Sequence, residues 1–365
     1  MNLSIVIPAY QVEQYIGTTL GSLQRQTAAD FEVLVIDDGS TDGSGEAAER
    51  HFAGLPAARL IRTGNGGVSR ARNAGLAEAR GDYVLFLDGD DYVDERLAEK
   101  IVEATGFSGS GERPPDAVVW RFVEVAEDGS VQADFFQGKP PLPKRLNGPD
   151  VLKRIFFDRN LRIHTAGIAY RRELLTEAAL GYEPGCVNGE DQEFIYKALC
   201  RAEDVRFIDE SLLYYVQRGS SVTYTYNVRK FDFADAFART ALELRTRNHP
   251  ELDRIAAVLE GPYLLEDYLY TIRTCLEGGN GRISSLMRDI ETHYPGLHGR
   301  MKERIRTCRA QGTPLPRSLR LFAASPAAYA LLLRTKRSAA LRGRTERSAG
   351  EPISTPSGAA GEGPR

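Results

Sequence analysis

Short apolar runs alternate with longer mixed stretches through the first ninety residues. Residues 3–7, 31–36, 59–61 and 83–87 read as strands. The segments between them, 12–26, 42–52 and 68–80, are long enough for crossover helices. Such alternation predicts an α/β fold with a doubly wound, mostly parallel, Rossmann-like sheet. Sheets of this kind bind ligands beyond the carboxyl ends of their strands. Here those ends carry Pro8-Ala9-Tyr10, Asp37-Asp38-Gly39-Ser40 and Asp88-Gly89-Asp90, so polar and conformationally special residues collect on one edge.

After Asp94 the pattern loosens. It predicts a helix, a strand over 117–125, a Pro-rich connection at 139–144, a helix over 149–157 and a strand over 166–170. A helix over 189–201 follows, then a pair of strands at 205–208 and 212–216, and mainly helix from 229 to 310. No internal repeat is visible.

The 365 residues, 42% hydrophobic, suffice for one large domain or two smaller ones. A formal net charge of −3 carries no polyanion-binding signature, which argues against nucleic acid as a partner. Cys186, Cys200, Cys275 and Cys308 lie far apart without CxxC spacing, so unpaired thiols in a reducing compartment are expected. The N-terminus lacks a basic leader, and no apolar run approaches the roughly 18 residues of a spanning helix. The expected location is the cytoplasm.

Candidate chemistry begins where the apolar run 83–87 empties into Asp88, Asp90 and Asp91. Carboxylates suit Mg2+ or Mn2+, with one oxygen donor on the metal and another on a sugar or ribose hydroxyl. The competing reading is a solvated turn. Asp38 offers an acceptor to a base or ribose, although the same stretch reads as a turn followed by a helix cap. Residues 65–75 open with glycines that let backbone amides approach an anion at a helix start. This is neither a Walker loop nor a dinucleotide fingerprint. Arg70 or Arg72 could meet a diphosphate, brace the aspartates or simply lie on a surface helix.

Four blocks in order, residues 5–10, 35–42, 65–75 and 86–91, resemble the inverting glycosyltransferases of family 2, which have the GT-A fold. The resemblance covers roughly the first 220 residues and is strongest up to Asp94. It implies a nucleotide-sugar donor, usually a UDP-sugar, with Pro8, Ala9, Tyr10 and Asp38 around base and ribose. Glu13, Asn65, Gly67 and Arg72 join that donor side. Asp88 is implied as a ribose or sugar contact, and Asp90 as the ligand of Mn2+ or Mg2+. In the Glu190-Asp191 pair, Asp191 fits the slot of the catalytic base, with Glu190, His164 and Arg218 on the acceptor or diphosphate side. Inverting transfer needs such a carboxylate to take the proton of the attacking hydroxyl. The competing reading of the pair is acidic residues in a helix's first turn.

Gln11 stands where relatives often have Asn. The Gln-x-x-Arg-Trp motif of processive synthases is absent, Trp120 being the sole tryptophan, which points to single-sugar addition. The implied acceptor is a glycan or lipid-linked glycan of bacterial capsule or exopolysaccharide assembly. Residues 1–225 would form the catalytic domain, with a nucleotide-sugar half over 1–95 and an acceptor half over 96–225, followed by a helical extension over 226–312. Segment 313–347 is basic and amphipathic, and reads either as a membrane-surface helix or as a helix docked on the domain. The end, 348–365, has a disordered composition. Two other classes stay in view: a sugar-phosphate nucleotidyltransferase and a non-catalytic nucleotide-sugar or glycan-binding module.

Overall fold

The computed structural model describes residues 2–106, 113–218, 226–278, 282–333 and 335. The four N-terminal runs are parallel strands β1 (Leu3–Ala9), β2 (Phe31–Asp37), β3 (Ala58–Arg62) and β4 (Tyr83–Phe86). Helices α1 (Ile16–Gln24), α2 (Ser44–Arg50) and α3 (Val68–Glu78) make the crossovers. Every residue of β2 and β4 is buried, as an apolar run covered on both faces requires. Helix α1 starts later than the sequence suggests because Gln11 takes a left-handed φ of 55° and the chain turns before entering it.

The chain continues through β5 (Tyr92–Val93), α4 (Leu97–Thr105), β6 (Ala117–Val125), β7 (Val131–Ala133), β8 (Arg145–Leu146) and α5 (Gly148–Phe156). It then forms β9 (Ile168–Arg171), α6 (Arg172–Glu177), α7 (Glu190–Leu199) and β10 (Val205–Val216). The sheet order is β3-β2-β1-β4-β9-β6-β10-β5, with β7 on β6 and β8 on β10. Strand β9 runs antiparallel to both neighbours and joins β1–β4 to the parallel β6/β10 pair.

Two further elements differ from the sequence pattern. The expected strand pair at 205–216 is one strand, in register with β6 from Val205 opposite Ala117 to Val216 opposite Val125. Its register shifts between Ile208 and Leu213, so the polar stretch there is absorbed as an irregularity in the ladder and not as a turn. The strand expected from 166 begins at Ile168, because His164 caps a short 3₁₀ turn over Thr165–Gly167.

After a 3₁₀ turn at Val228–Asp232 come α8 (Phe233–Thr246), α9 (Pro250–Val258), α10 (Leu264–Gly278), α11 (Ile283–His293), α12 (Leu297–Ala310) and α13 (Arg317–Ala324). Helices α9 and α10 are joined by a wide π turn at Leu259–Tyr263, where Gly261 leaves helical geometry and Pro262 removes a donor. This helical region shares one core with the sheet half, α8 packing on α7 and α9 on α5. Leu319 and Phe322 of α13 are buried, and Phe322 meets Tyr268 of α10 edge-on. The apolar side of that helix thus lies against the domain. Among the described residues no helix is long and apolar enough to cross a membrane. The four cysteines are unpaired and buried. Segment 348–365 lies outside the described residues.

Candidate active site

A cleft of about 640 Å³ opens at the carboxyl ends of β1, β2 and β4. Pro8, Ala9 and Tyr10 reach it from β1, Asp38 from β2, and Asp88 and Asp90 from the turn after β4. Asn65, Gly67 and Arg72 enter with the start of α3, and His164, Glu190, Asp191 and Arg218 close the opposite side. Residues as far apart in sequence as Pro8 and Arg218 thus meet where the alternating pattern placed a ligand crevice.

Glu13 is the exception. Its carboxylate accepts the Gly43 N–H at 3.1 Å, and its own N–H donates to Asp42 at 3.2 Å. It braces the entry to α2 and is not among the residues that line the cleft.

Asp38 does more than face a ligand. Its buried carboxylate accepts the N–H of Gly66 at 2.9 Å and of Gly67 at 2.7 Å, one on each oxygen, fixing the glycine loop. Oδ1 also accepts from the Thr63 hydroxyl at 3.3 Å, so Oδ2 is the oxygen that keeps a second lone pair for a ligand. The adjacent Gly39 has φ +72°, and a Cβ there would come within 2.8 Å of the Asn65 nitrogen. Glycine is therefore required for the turn to close on that loop.

Arg72, buried in α3, spans two motifs: it donates to Asp88 at 2.8 Å and to Glu190 at 3.4 Å, with its guanidinium 5.0 Å from the Tyr182 ring centre. Of the roles open to it in sequence, holding the carboxylates is the one it performs. Burial opposes its charge, but Asp88, Tyr182 and Glu190 outweigh that, so its pKa lies above an ordinary arginine's. Burial raises the Asp88 pKa, yet Arg72 and His164 bring the net value below the usual carboxylate range. Glu190 goes the other way: burial, then Asp191, push it up to about 7 against the pull of Arg72. Asp91, fully buried, accepts the Val216 N–H at 2.9 Å and ties the end of β10 to the Asp88 turn. Burial and Asp88 hold its carboxyl well above the normal range.

Asp191 stands in the first turn of α7 and accepts the N–H of Gln192 at 2.7 Å. The His164 ring lies 4.5 Å from Tyr215 and 5.7 Å from Phe122. Its Nδ1 accepts the Ala166 N–H at 3.2 Å, and burial lowers its pKa. The neutral ring consequently carries its proton on Nε2, leaving one donor for a ligand. Arg218 pairs with Asp90 and lies over Tyr15, 4.3 Å from the ring centre. Residues 219–225, which follow it, lie outside the described residues.

Asp88 and Asp90 are the carboxylates after β4 that open on the cleft. No group of three or more His, Cys, Asp or Glu side chains able to hold a metal occurs among the described residues. A pair of oxygen donors fits Mg2+ or Mn2+, which complete their shells with phosphates and water, and does not fit a closed zinc site. Tyr182, Tyr215, Thr165 and Cys186 were not legible as site residues. Thr165, Cys186 and Tyr215 line the cleft, and Tyr182 backs Arg72. None lies in a motif, and only the return of the chain across the sheet brings them there.

Residues 4–111 match the family model described as glycosyl transferase family 2. The uncharacterized glycosyltransferase EpsJ of Bacillus subtilis is 32% identical over 227 residues, 60% of this chain and 62% of that protein. The poly(ribitol-phosphate) β-N-acetylglucosaminyltransferase TarS of Staphylococcus aureus is 28% identical over 250 residues, 67% of this chain but 40% of TarS. The chain thus spans less than two thirds of either relative. The solved structure of S. aureus TarS 1-349 with UDP-GlcNAc superposes with a TM-score of 0.63 at 22% identity, covering 93% of this chain and 92% of that one. That likeness is one of fold. With motif match and architecture in agreement, residues 4–111 belong to glycosyl transferase family 2 and sit within a GT-A fold.

Proposed function

We propose that the chain is an inverting, metal-dependent glycosyltransferase. It moves a single hexosyl or N-acetylhexosaminyl residue from a nucleotide-diphosphate sugar, a UDP-sugar, to a hydroxyl of a glycan or lipid-linked glycan. The observation that carries this reading is the convergence of Asp88, Asp90 and Asp191 on one cleft at the sheet edge. A non-catalytic binding module would not need Asp191 there. Related support comes from TarS, solved in complex with UDP and with UDP-GlcNAc.

Tyr10, 49% exposed, offers a ring face to a planar base, and the spare lone pair of Asp38 Oδ2 can accept from the base or ribose. Asp88, fixed by Arg72, orients a ribose or sugar hydroxyl. A divalent cation held by Asp90 with Asp88 would neutralise charge on the departing diphosphate. As the acceptor oxygen bonds to the anomeric carbon, the bond to the diphosphate oxygen breaks and its electron pair leaves with the nucleotide. The acceptor's proton passes to Asp191, a contribution of about 10²–10⁴-fold in rate. His164, neutral beside Asp191, positions the incoming hydroxyl by donating from Nε2. The setting is the cytoplasm, with the assembly of cell-surface polysaccharide as the process served and the inner face of the membrane as the place where a lipid-linked acceptor is met.

A thermal-shift screen against UDP, GDP, dTDP and CMP, with and without manganese, tests the donor site. Selective manganese-dependent stabilisation by UDP is expected, because a ligand that binds the folded state raises its stability. The absence of a shift with every nucleotide would contradict the proposal.

A further inference from the structure

Asp191 and His164 line a second cavity besides the nucleotide cleft. It measures about 220 Å³ and is walled by the segment after α5, by α7 and by Tyr263 from the π turn between α9 and α10. The donor reading leaves this space unused. A proton-accepting carboxylate common to two cavities can serve a hydroxyl arriving from one while the reacting carbon is held in the other.

The smaller cavity has a cationic rim. Arg159 and Arg162 line it, with side chains 57% and 56% exposed. Lys139 lies alongside, its Nζ 3.5 Å from the Arg159 carbonyl oxygen, and burial together with Arg162 lowers its pKa. Arg159 holds a left-handed φ of 51°, a conformation unusual for a side chain of its size. Each arginine has a carboxylate partner, Glu266 at 3.1 Å and Glu124 at 3.3 Å. Exposed ion pairs of this kind are weak enough for a ligand oxyanion to compete. The guanidinium fork suits bidentate binding of phosphate or carboxylate.

We infer that this cavity is the acceptor subsite, and that it takes a sugar bearing an anionic group, which Arg159 and Arg162 hold while a hydroxyl of the sugar meets Asp191. The inference rests on the glycosyl-transfer reading above. It also gives the helical region, through Tyr263, a share in acceptor choice.

Ligand-observed NMR on the full chain tests it, with UDP and magnesium saturating the donor cleft. The probes are methyl glucoside, methyl glucuronide and methyl glucoside 6-phosphate. The anionic probes should bind about tenfold more tightly than the neutral one, as charge-assisted contacts to arginine require. The stronger of the two anionic arms identifies carboxylate or phosphate as the group recognised. Arg159→Gln/Arg162→Gln should abolish the preference and leave the UDP-induced thermal shift intact; Arg162→Gln alone, which should reduce it, serves if the double variant folds poorly. Equal binding of the neutral probe, no binding by any probe, or a preference that survives the substitutions would overturn the inference. Loss of the UDP shift in the unmodified chain would strike the donor reading instead.

Discussion

Replacing Arg72 by leucine keeps much of the side chain's bulk and removes the charge that joins Asp88 to Glu190. Removing one member of a buried ion pair costs about 3–5 kcal/mol, because the remaining charge stays unpaired. Glu190 is 11% exposed, but Asp88 is 28% exposed and can recover water. The expected loss is therefore nearer ~2–4 kcal/mol at neutral pH. The pH dependence has a definite sign. Asp88 has a lowered folded-state pKa, so its pairing stabilises above the unfolded value and fades as pH falls. Glu190 is raised from 4.5 to about 7 even with Arg72 present, so the stability associated with its neutral form is lost as pH rises through that range. Without Arg72 it rises further and the loss deepens. The Asp88 effect widens the gap between the parent and Arg72→Leu as pH rises out of the acid range, and the Glu190 effect widens it again above about pH 7, where the parent has lost that proton and the variant still holds it. Urea unfolding across both ranges measures it. Adding Glu190→Gln to Arg72→Leu should restore part of the loss, on the order of 1 kcal/mol in a double-mutant cycle. A variant whose stability stays within about 0.5 kcal/mol of the parent at every pH would refute the bridging role.

Asp90→Ala should abolish manganese-dependent stabilisation by UDP in a thermal-shift assay; an unchanged shift would remove Asp90 from the metal site. Asp191→Asn should bind UDP as the parent does and lose about 10²–10⁴-fold in transfer rate, read as UDP release. Parent-like turnover would remove it as the base. Gly75→Ala should lower stability by about 1–3 kcal/mol through overpacking. Its new Cβ would fall 2.2 Å from Val6 Cγ1, where α3 lies on β1, and an unaltered melting temperature would contradict that close approach.

The parallel half of the fold was legible because β1, β2 and β4 are apolar runs buried on both faces, each followed by turn residues whose chemistry is local. The Asp38 turn and the carboxylates after β4 were readable for the same reason. What escaped was non-local. Nothing around Arg72 announces that it will reach Glu190, 118 residues away, and that contact exists only once α3 and α7 meet over the sheet. The continuity of β10 was hidden because the polar residues between Ile208 and Leu212 look like a turn until β6 supplies a ladder. Tyr263 reads as one more aromatic in a helical stretch, and Gly261-Pro262 beside it as a helix break. Their joint effect is a wide turn that carries Tyr263 to the wall of the cavity behind Asp191. The place of Glu13 against Gly43 was equally hidden, because it follows from the turn that the left-handed Gln11 precedes.

The most direct test of the central proposal is UDP release from a panel of UDP-sugars in the presence of manganese, with the parent and Asp191→Asn compared side by side. The proposal predicts release from one sugar above the others by the parent, and background release by a variant that still binds UDP. No release from any UDP-sugar, or equal release by both proteins, would contradict it.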